Sequence, residues 1–381
     1  MKRLILSILA ISAILTSCGS PQYVKPTEGS QKGYALSFFK NVVAVTEPGE
    51  NIVVSPYSAG VALSMVAEGA EGQTRTEFDN ALNGCLFKAV DLGNNDTVTV
   101  KSANSVWITD NFSVRNRFVG LLEKDFDAEV VNLNFADPAT VRAINNWCSE
   151  NTEGKIPEIV DRLNPGTVML LINALYFNAP WADAFPEDNT RNGVFHSFSG
   201  DVQVPMMARM DRMNYAEYQG AQMVELPYAG GRYAMYVVLP PEGMSPDKMI
   251  AYVNEGLYDQ AMSMMTAEKV RLTMPKLKLE TTMILNKAIQ NMGIRTAFTS
   301  AANFKGIAQM GPLVLDQVKQ KCYIDVSEKG TEAAAVTSVG VRLTSARPEI
   351  VVNMNVDRPY LFFISDRTNG NILFAGKVVT L

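Results

Sequence analysis

One histidine, His196, serves the whole 381-residue chain. Any site that needs two imidazoles is thereby excluded, an HExxH zinc site among them. A Ser–His–Asp hydrolase would have to be built on that one residue, and the stretch VFHSFSGD around it reads as polar surface. No GxSxG elbow, Walker loop or dinucleotide glycine pattern is there to carry another kind of catalysis. Four cysteines are too few for a disulfide scaffold at this length, so burial must stabilise the core. With 34 basic against 39 acidic side chains, the net charge is −5, and no broad basic field exists to hold a nucleic-acid backbone. Internal repeats, low-complexity tracts and interior linkers are also missing, which argues for one large domain over two. Nothing in the pattern calls for a cofactor or a metal.

The N-terminus reads as an address. Lys2 and Arg3 precede the apolar run Leu4–Leu15. That run is shorter than the roughly 20 residues needed to span a bilayer, and it fits the apolar core of a signal peptide. Small residues then lead to a cysteine in Leu15-Thr16-Ser17-Cys18, which resembles the bacterial lipoprotein signal. The expectation is removal of residues 1–17, lipidation of Cys18, and a flexible Gly/Pro-containing tether over 18–33. Loss of Lys2 and Arg3 would deepen the charge from −5 to −7. A bacterial cell envelope follows, periplasmic face or cell surface, with membrane contact only through Cys18. Cys85, Cys148 and Cys322 remain, an odd number, and Cys148 and Cys322 read as buried small apolar residues.

Apolar periodicity predicts a helix over Tyr34–Thr46. A short strand, Asn51–Val54, runs into Ser55-Pro56, an N-cap with proline at the first helical position. The helix beyond carries Val61, Leu63, Met65 and Val66 and ends at Gly69/Gly72; Pro138–Thr152 is amphipathic. VMLLINALYF (Val168–Phe177) is apolar enough to be a strand buried on both faces. Further strands are predicted over 233–239, 270–279, 321–326, 360–365 and 372–379. Helices crowd the first half and strands the second, the pattern of an α+β protein.

The unusual segment is EKGTEAAAVTSVGVRLT, Glu328–Thr344. Read as a strand, one face carries Thr331, Ala333, Ala335, Thr337, Val339 and Val341, all small or β-branched. The other carries Glu332, Ala334, Val336, Ser338, Gly340 and Arg342, and its charges can stay in water on the outer face of a sheet. Yet it follows another strand across a turn of only Glu328-Lys329-Gly330. Ala333–Ala335 alone favours helix; Thr337, Val339, Gly340 and Val341 disfavour its continuation.

EKGTEAAAVTS resembles the hinge of the serpins, a family of serine-protease inhibitors. NIVVSPYSAGVALSMVAEGAEGQTRTEF (51–78), LLINALYFNAPWADAF (170–185) and DRPYLFFISDRTNGNILFAGKVV (357–379) resemble other family segments, in the same order. The resemblance runs from about Tyr34 to the end. It implies a serpin domain over 34–381, with three β-sheets, eight or nine helices and an exposed reactive loop at about 328–349. It also implies a suicide-substrate mechanism. A target endopeptidase attacks the loop, an acyl-enzyme forms, and the cleaved loop enters the largest sheet as a new strand. A covalent complex with that endopeptidase is the expected partnership, from an otherwise monomeric, non-catalytic protein. A non-inhibitory binding protein on the same fold, and an inhibitor mainly of cysteine proteases, are the alternatives.

By the same resemblance the hinge comprises Glu328, Gly330, Thr331, Glu332, Ala333, Ala334, Ala335, Val336 and Thr337. Counting Glu328 as first, the scissile bond follows the seventeenth residue, giving Thr344-Ser345, with Arg342, Leu343 and Arg347 as alternatives. Thr344 suits an elastase-like enzyme, arginine a trypsin-like one and Leu343 a chymotrypsin-like one. Ser55, Ser58 and Asn173 match a polar shutter that controls opening of the large sheet, with Gln320 where the family usually has histidine. Trp181 matches a tryptophan near the point where the loop enters.

Overall fold

The computed structural model describes residues 29–95, 97–163, 166–309, 313–332 and 350–381. Five of its eight described α-helices begin at a residue whose side chain caps them. The Ser30 hydroxyl accepts from the Gly33 N–H and starts α1 at Gln31–Val43, so the tether expected to reach Gly33 gives way to helix sooner. After β1 (Ile52–Val54), Ser55 caps α2 (Pro56–Ala67), and every residue of that helix is buried. Then come α3 (Gly72–Ala81), β2 (Thr99–Thr109), α4 (Asn116–Phe126), β3 (Glu129–Leu133), α5 (Pro138–Asn151) and β4 (Met169–Pro180). Five strands and two helices follow: β5 (Arg191–Ser197), β6 (Gly200–Tyr218), β7 (Ala221–Pro227), β8 (Tyr233–Leu239), α6 (Pro246–Tyr252), α7 (Glu255–Ser263) and β9 (Thr266–Pro275). The chain continues through β10 (Leu277–Ile284), α8 (Asn286–Asn291), β11 (Gln317–Ser327) and β12 (Gly330–Thr331). It closes with β13 (Val351–Asn355), β14 (Tyr360–Asp366) and β15 (Ile372–Val378).

The described strands form two hydrogen-bonded sheets where three were expected. The cause is β6, 19 residues long. It pairs with β5 up to Met206, with β9 over Met206–Tyr215 and with β7 over Tyr215–Tyr218, so one ladder runs on unbroken through nine strands. The other sheet has six strands: β10, β11, β12, β4, β2 and β3. The main core lies between the sheets around α2. A smaller core seals α5 and the segment after it to the outer face of the six-stranded sheet. There Ile144, Trp147, Ile156 and Ile159 meet Trp107, Leu170 and Ile172. β4 therefore shows one face to each core, which explains its nearly unbroken apolar sequence.

Candidate insertion site between two parallel strands

β4 and β11 are not chain neighbours, yet they run parallel and side by side from Leu170/Gln317 to Leu175/Cys322. There their ladder stops. Higher up, β12 stands between them, antiparallel to both. Gly330 and Thr331 pair with Ser327 and Val326 on one side and with Pro180 and Ala179 on the other. Between the end of one ladder and the start of the other, Tyr176–Asn178 and Tyr323–Asp325 flank a stretch that β12 does not fill.

The mouth of this slot is braced by the predicted hinge residues. A Cβ on Gly330 (φ +148°) would lie 2.3 Å from the Ala179 carbonyl oxygen and 2.5 Å from Pro180 Cα, so only glycine fits. Thr331 is wholly buried, its hydroxyl 2.7 Å from that of Tyr228. Trp181 stacks on Tyr228 at 4.5 Å and donates its indole N–H to the Ser327 carbonyl at 2.9 Å. Backbone N–H groups of Trp181 and Phe185 donate to Lys329 and Glu328 carbonyls, 2.9 Å each. The Glu328 carboxylate meets Lys276 Nζ at 2.8 Å and accepts from the Thr190 hydroxyl at 2.7 Å. Burial alone would raise the pKa of Glu328, but these two contacts hold it below the ordinary carboxylate range.

Glu332 corrects an expectation. Its side chain is only 4% exposed, not solvated, because the segment after α5 covers the outer face at this point and supplies Lys155, 3.3 Å away. The Tyr176 and Tyr323 phenols lie beside it. Burial pushes both phenols above their usual range, helped by the Glu332 carboxylate at Tyr176 and by Asp325 and Glu332 at Tyr323.

Below the slot the four predicted shutter residues come together, all buried. Gln320 accepts from the Ser55 N–H at 2.9 Å and donates to the Ser55 carbonyl at 3.0 Å and to Asn173 Oδ1 at 2.7 Å. Asn173 in turn donates to the Ser58 carbonyl, the Ser58 hydroxyl and Asn104 Oδ1, the last at 2.7 Å. Asn104 and Ser102 on β2 belong to the same network, and sequence reasoning missed them. Their alternate spacing in TVKSANSVWIT was the available sign, hidden because polar residues on an inward face do not look like a strand.

Ala333–Thr337, Arg342, Leu343, Thr344, Ser345, Arg347 and Cys18 lie outside the described residues. His196 sits exposed on β5 with Nδ1 2.8 Å from Asp201. Cys148 and Cys322 are buried, and burial pushes the Cys148 thiol up to about 12 and raises that of Cys322 further. Among the described residues no group of three or more His, Cys, Asp or Glu is placed to hold a metal ion. No described helix is long and apolar enough to cross a membrane.

Residues 30–381 match the family model described as "Serpin (serine protease inhibitor)". A serpin-like protein of Thermococcus kodakarensis is 32% identical over 370 residues, 93% of this chain and 86% of that protein. Serpin B8 of Homo sapiens is 31% identical over 366 residues, 90% of this chain and 96% of that protein. The native structure of the thermophilic serpin tengpin superposes with a TM-score of 0.85 at 28% identity, covering 94% of this chain and 96% of that one.

Proposed function

This chain belongs to the serpin family, and we propose that it is a suicide-substrate inhibitor of serine endopeptidases, not an enzyme. The observation that carries this reading is β12: the hinge already occupies the mouth of a slot between two parallel strands, paired on both sides. Extending its register downward gives each further residue two partners. Ala333 falls between Phe177 and Ile324, Ala335 between Leu175 and Cys322, and Thr337 between Asn173 and Gln320. The inward positions are those the sequence keeps small and uncharged, so nothing large or charged must be buried. Thr337 arrives where the Asn173–Gln320 bond has to open, with a hydroxyl able to donate and accept in its place.

In the proposed reaction the protease serine oxygen bonds to the carbonyl carbon of Thr344. The Thr344–Ser345 peptide bond breaks, and the Ser345 nitrogen leaves as an amine with the proton that the serine gave up. Insertion of the freed strand then carries the ester-bound protease away before water reaches it. About ten new backbone hydrogen bonds at roughly 1 kcal/mol each supply on the order of 10 kcal/mol. Anchorage through a lipidated Cys18 in a bacterial envelope is part of the same proposal, supported by the N-terminal pattern.

A gel settles the reading. The protein is mixed with elastase-, trypsin-, chymotrypsin-, subtilisin- and papain-type enzymes and denatured. An SDS-stable complex with one of the serine enzymes is expected, and mass spectrometry of the released C-terminal fragment should begin at Ser345. Cleavage without any complex would mean a non-inhibitory serpin, and a complex with the papain-type enzyme alone a cysteine-protease inhibitor.

A further inference from the structure

Glu332 adopts φ +53°, the left-handed region, which a residue with a side chain occupies only when its surroundings hold it there. Its N–H still donates to the Asp325 carbonyl at 2.8 Å, but the turn in its backbone ends β12 at Thr331. Both carboxylate oxygens are buried against the Tyr176 and Tyr323 phenols, and Lys155 at 3.3 Å is the cation that meets their charge. Lys155 belongs to the segment after α5. A second lysine ties the same segment to the sheet: Lys321 on β11 donates to the Glu158 carbonyl at 2.8 Å.

We propose that Glu332 is a latch on loop insertion: its ion pair with Lys155 holds the left-handed turn and must open before the cleaved loop advances past Thr331. The latch rests on the inhibitory reading and adds the step that sets its rate. Once Glu332 becomes extended, the register places it opposite Asn178 on β4 and Asp325 on β11, on the outer face. It then trades a cationic neighbour for a like charge directly across the strand, an unfavourable cross-strand pair. Ala334 takes the next outward place, between Tyr176 and Tyr323, the two residues that now flank the Glu332 carboxylate. The Glu332 charge therefore opposes insertion at both ends of the movement, through Lys155 at the start and Asp325 at the finish.

The test uses the full chain and whichever serine enzyme forms the complex. Titration gives the number of inhibitor molecules consumed per protease trapped. The excess over one is the ratio of acyl-enzyme hydrolysis to insertion. Glu332→Gln and Lys155→Met should each cut this excess about tenfold, equivalent to about 1.4 kcal/mol. The double variant should go no more than about twofold beyond Glu332→Gln, because Lys155→Met removes only an interaction that Glu332→Gln already removes. A merely structural role would not produce that coupling. Unchanged excess in Glu332→Gln, or singles whose effects multiply in the double, would overturn the latch. If Lys155→Met does not fold, Glu332→Gln, which keeps the shape, decides alone. Cutting the parent loop and heating it separates the two ideas. Gained heat resistance with an unchanged excess removes only the latch, and no gain removes the inhibitory reading and the latch with it.

Discussion

The pair Glu328–Lys276 fixes the base of the hinge at a position where the carboxylate is buried and the ammonium half-exposed. Glu328→Gln should cost about 1–2 kcal/mol, less than a fully buried pair because water screens the lysine. The pH dependence has a definite sign. A carboxylate whose folded pKa lies below its unfolded one stabilises the fold at pH values above the unfolded pKa, and the contribution is lost as pH falls through the folded value. The gap in thermal midpoint between parent and Glu328→Gln should therefore be full at pH 6 and close on acidification below about 4. Gln320 makes the converse case. It binds Ser55 and Asn173 without titrating, whereas a histidine buried there would be neutral when folded and would charge when unfolded. Gln320→His should thus lose stability relative to the parent between pH 7.5 and 5.5, measured by urea unfolding. Asn173 was legible as a shutter residue through the family resemblance, and as an amide in an otherwise apolar strand it demanded partners. Its partner Asn104 was not, since β2 mixes buried Ser and Asn among its apolar residues and loses its alternation.

Elements with local punctuation or an unbroken apolar run were readable, and β6, which has neither, was not. Ser55-Pro56 marks the start of α2 and Asp137-Pro138 that of α5, because a cap and a proline act within one turn. β6 has no such marks. Arg209, Asp211 and Arg212 break its pattern, and Arg209 is nonetheless buried, stacked 5.2 Å over the Phe185 ring with its guanidinium on the Asp183 carbonyl. Missing β6 also hides the ladder that joins the expected three sheets into two. The hinge was legible for a further reason: read as a strand, its Thr331–Val341 face is free of bulk and charge. β12 sharpens the mutational test of that idea. Thr331→Arg has no room for its side chain even before cleavage, since Thr331 is buried against Tyr228. It should be cut as an ordinary substrate, with no SDS-stable complex. Gly330→Val should behave likewise, as its side chain would collide with the Ala179 carbonyl.

For the molecule as a whole, the stretch between β4 and β11 that β12 does not fill means, on the inhibitory reading, that the uncut fold is not its most stable one. Ten or so further backbone bonds, at roughly 1 kcal/mol each, correspond to a rise in melting temperature of about 10–20 °C for a domain of this size. Calorimetry before and after a single cut in the loop should show that rise. The slot has a further property. If the inhibitory reading holds, it accepts a strand by direction and by alternation of small residues, and neither belongs to any one copy of the chain. A neighbour's loop in a crowded, warmed solution offers the same edge on the same terms. Strings of molecules, each lending a strand to the next, are thus the form in which this protein would spoil, and a short free peptide of the hinge sequence should keep them from growing.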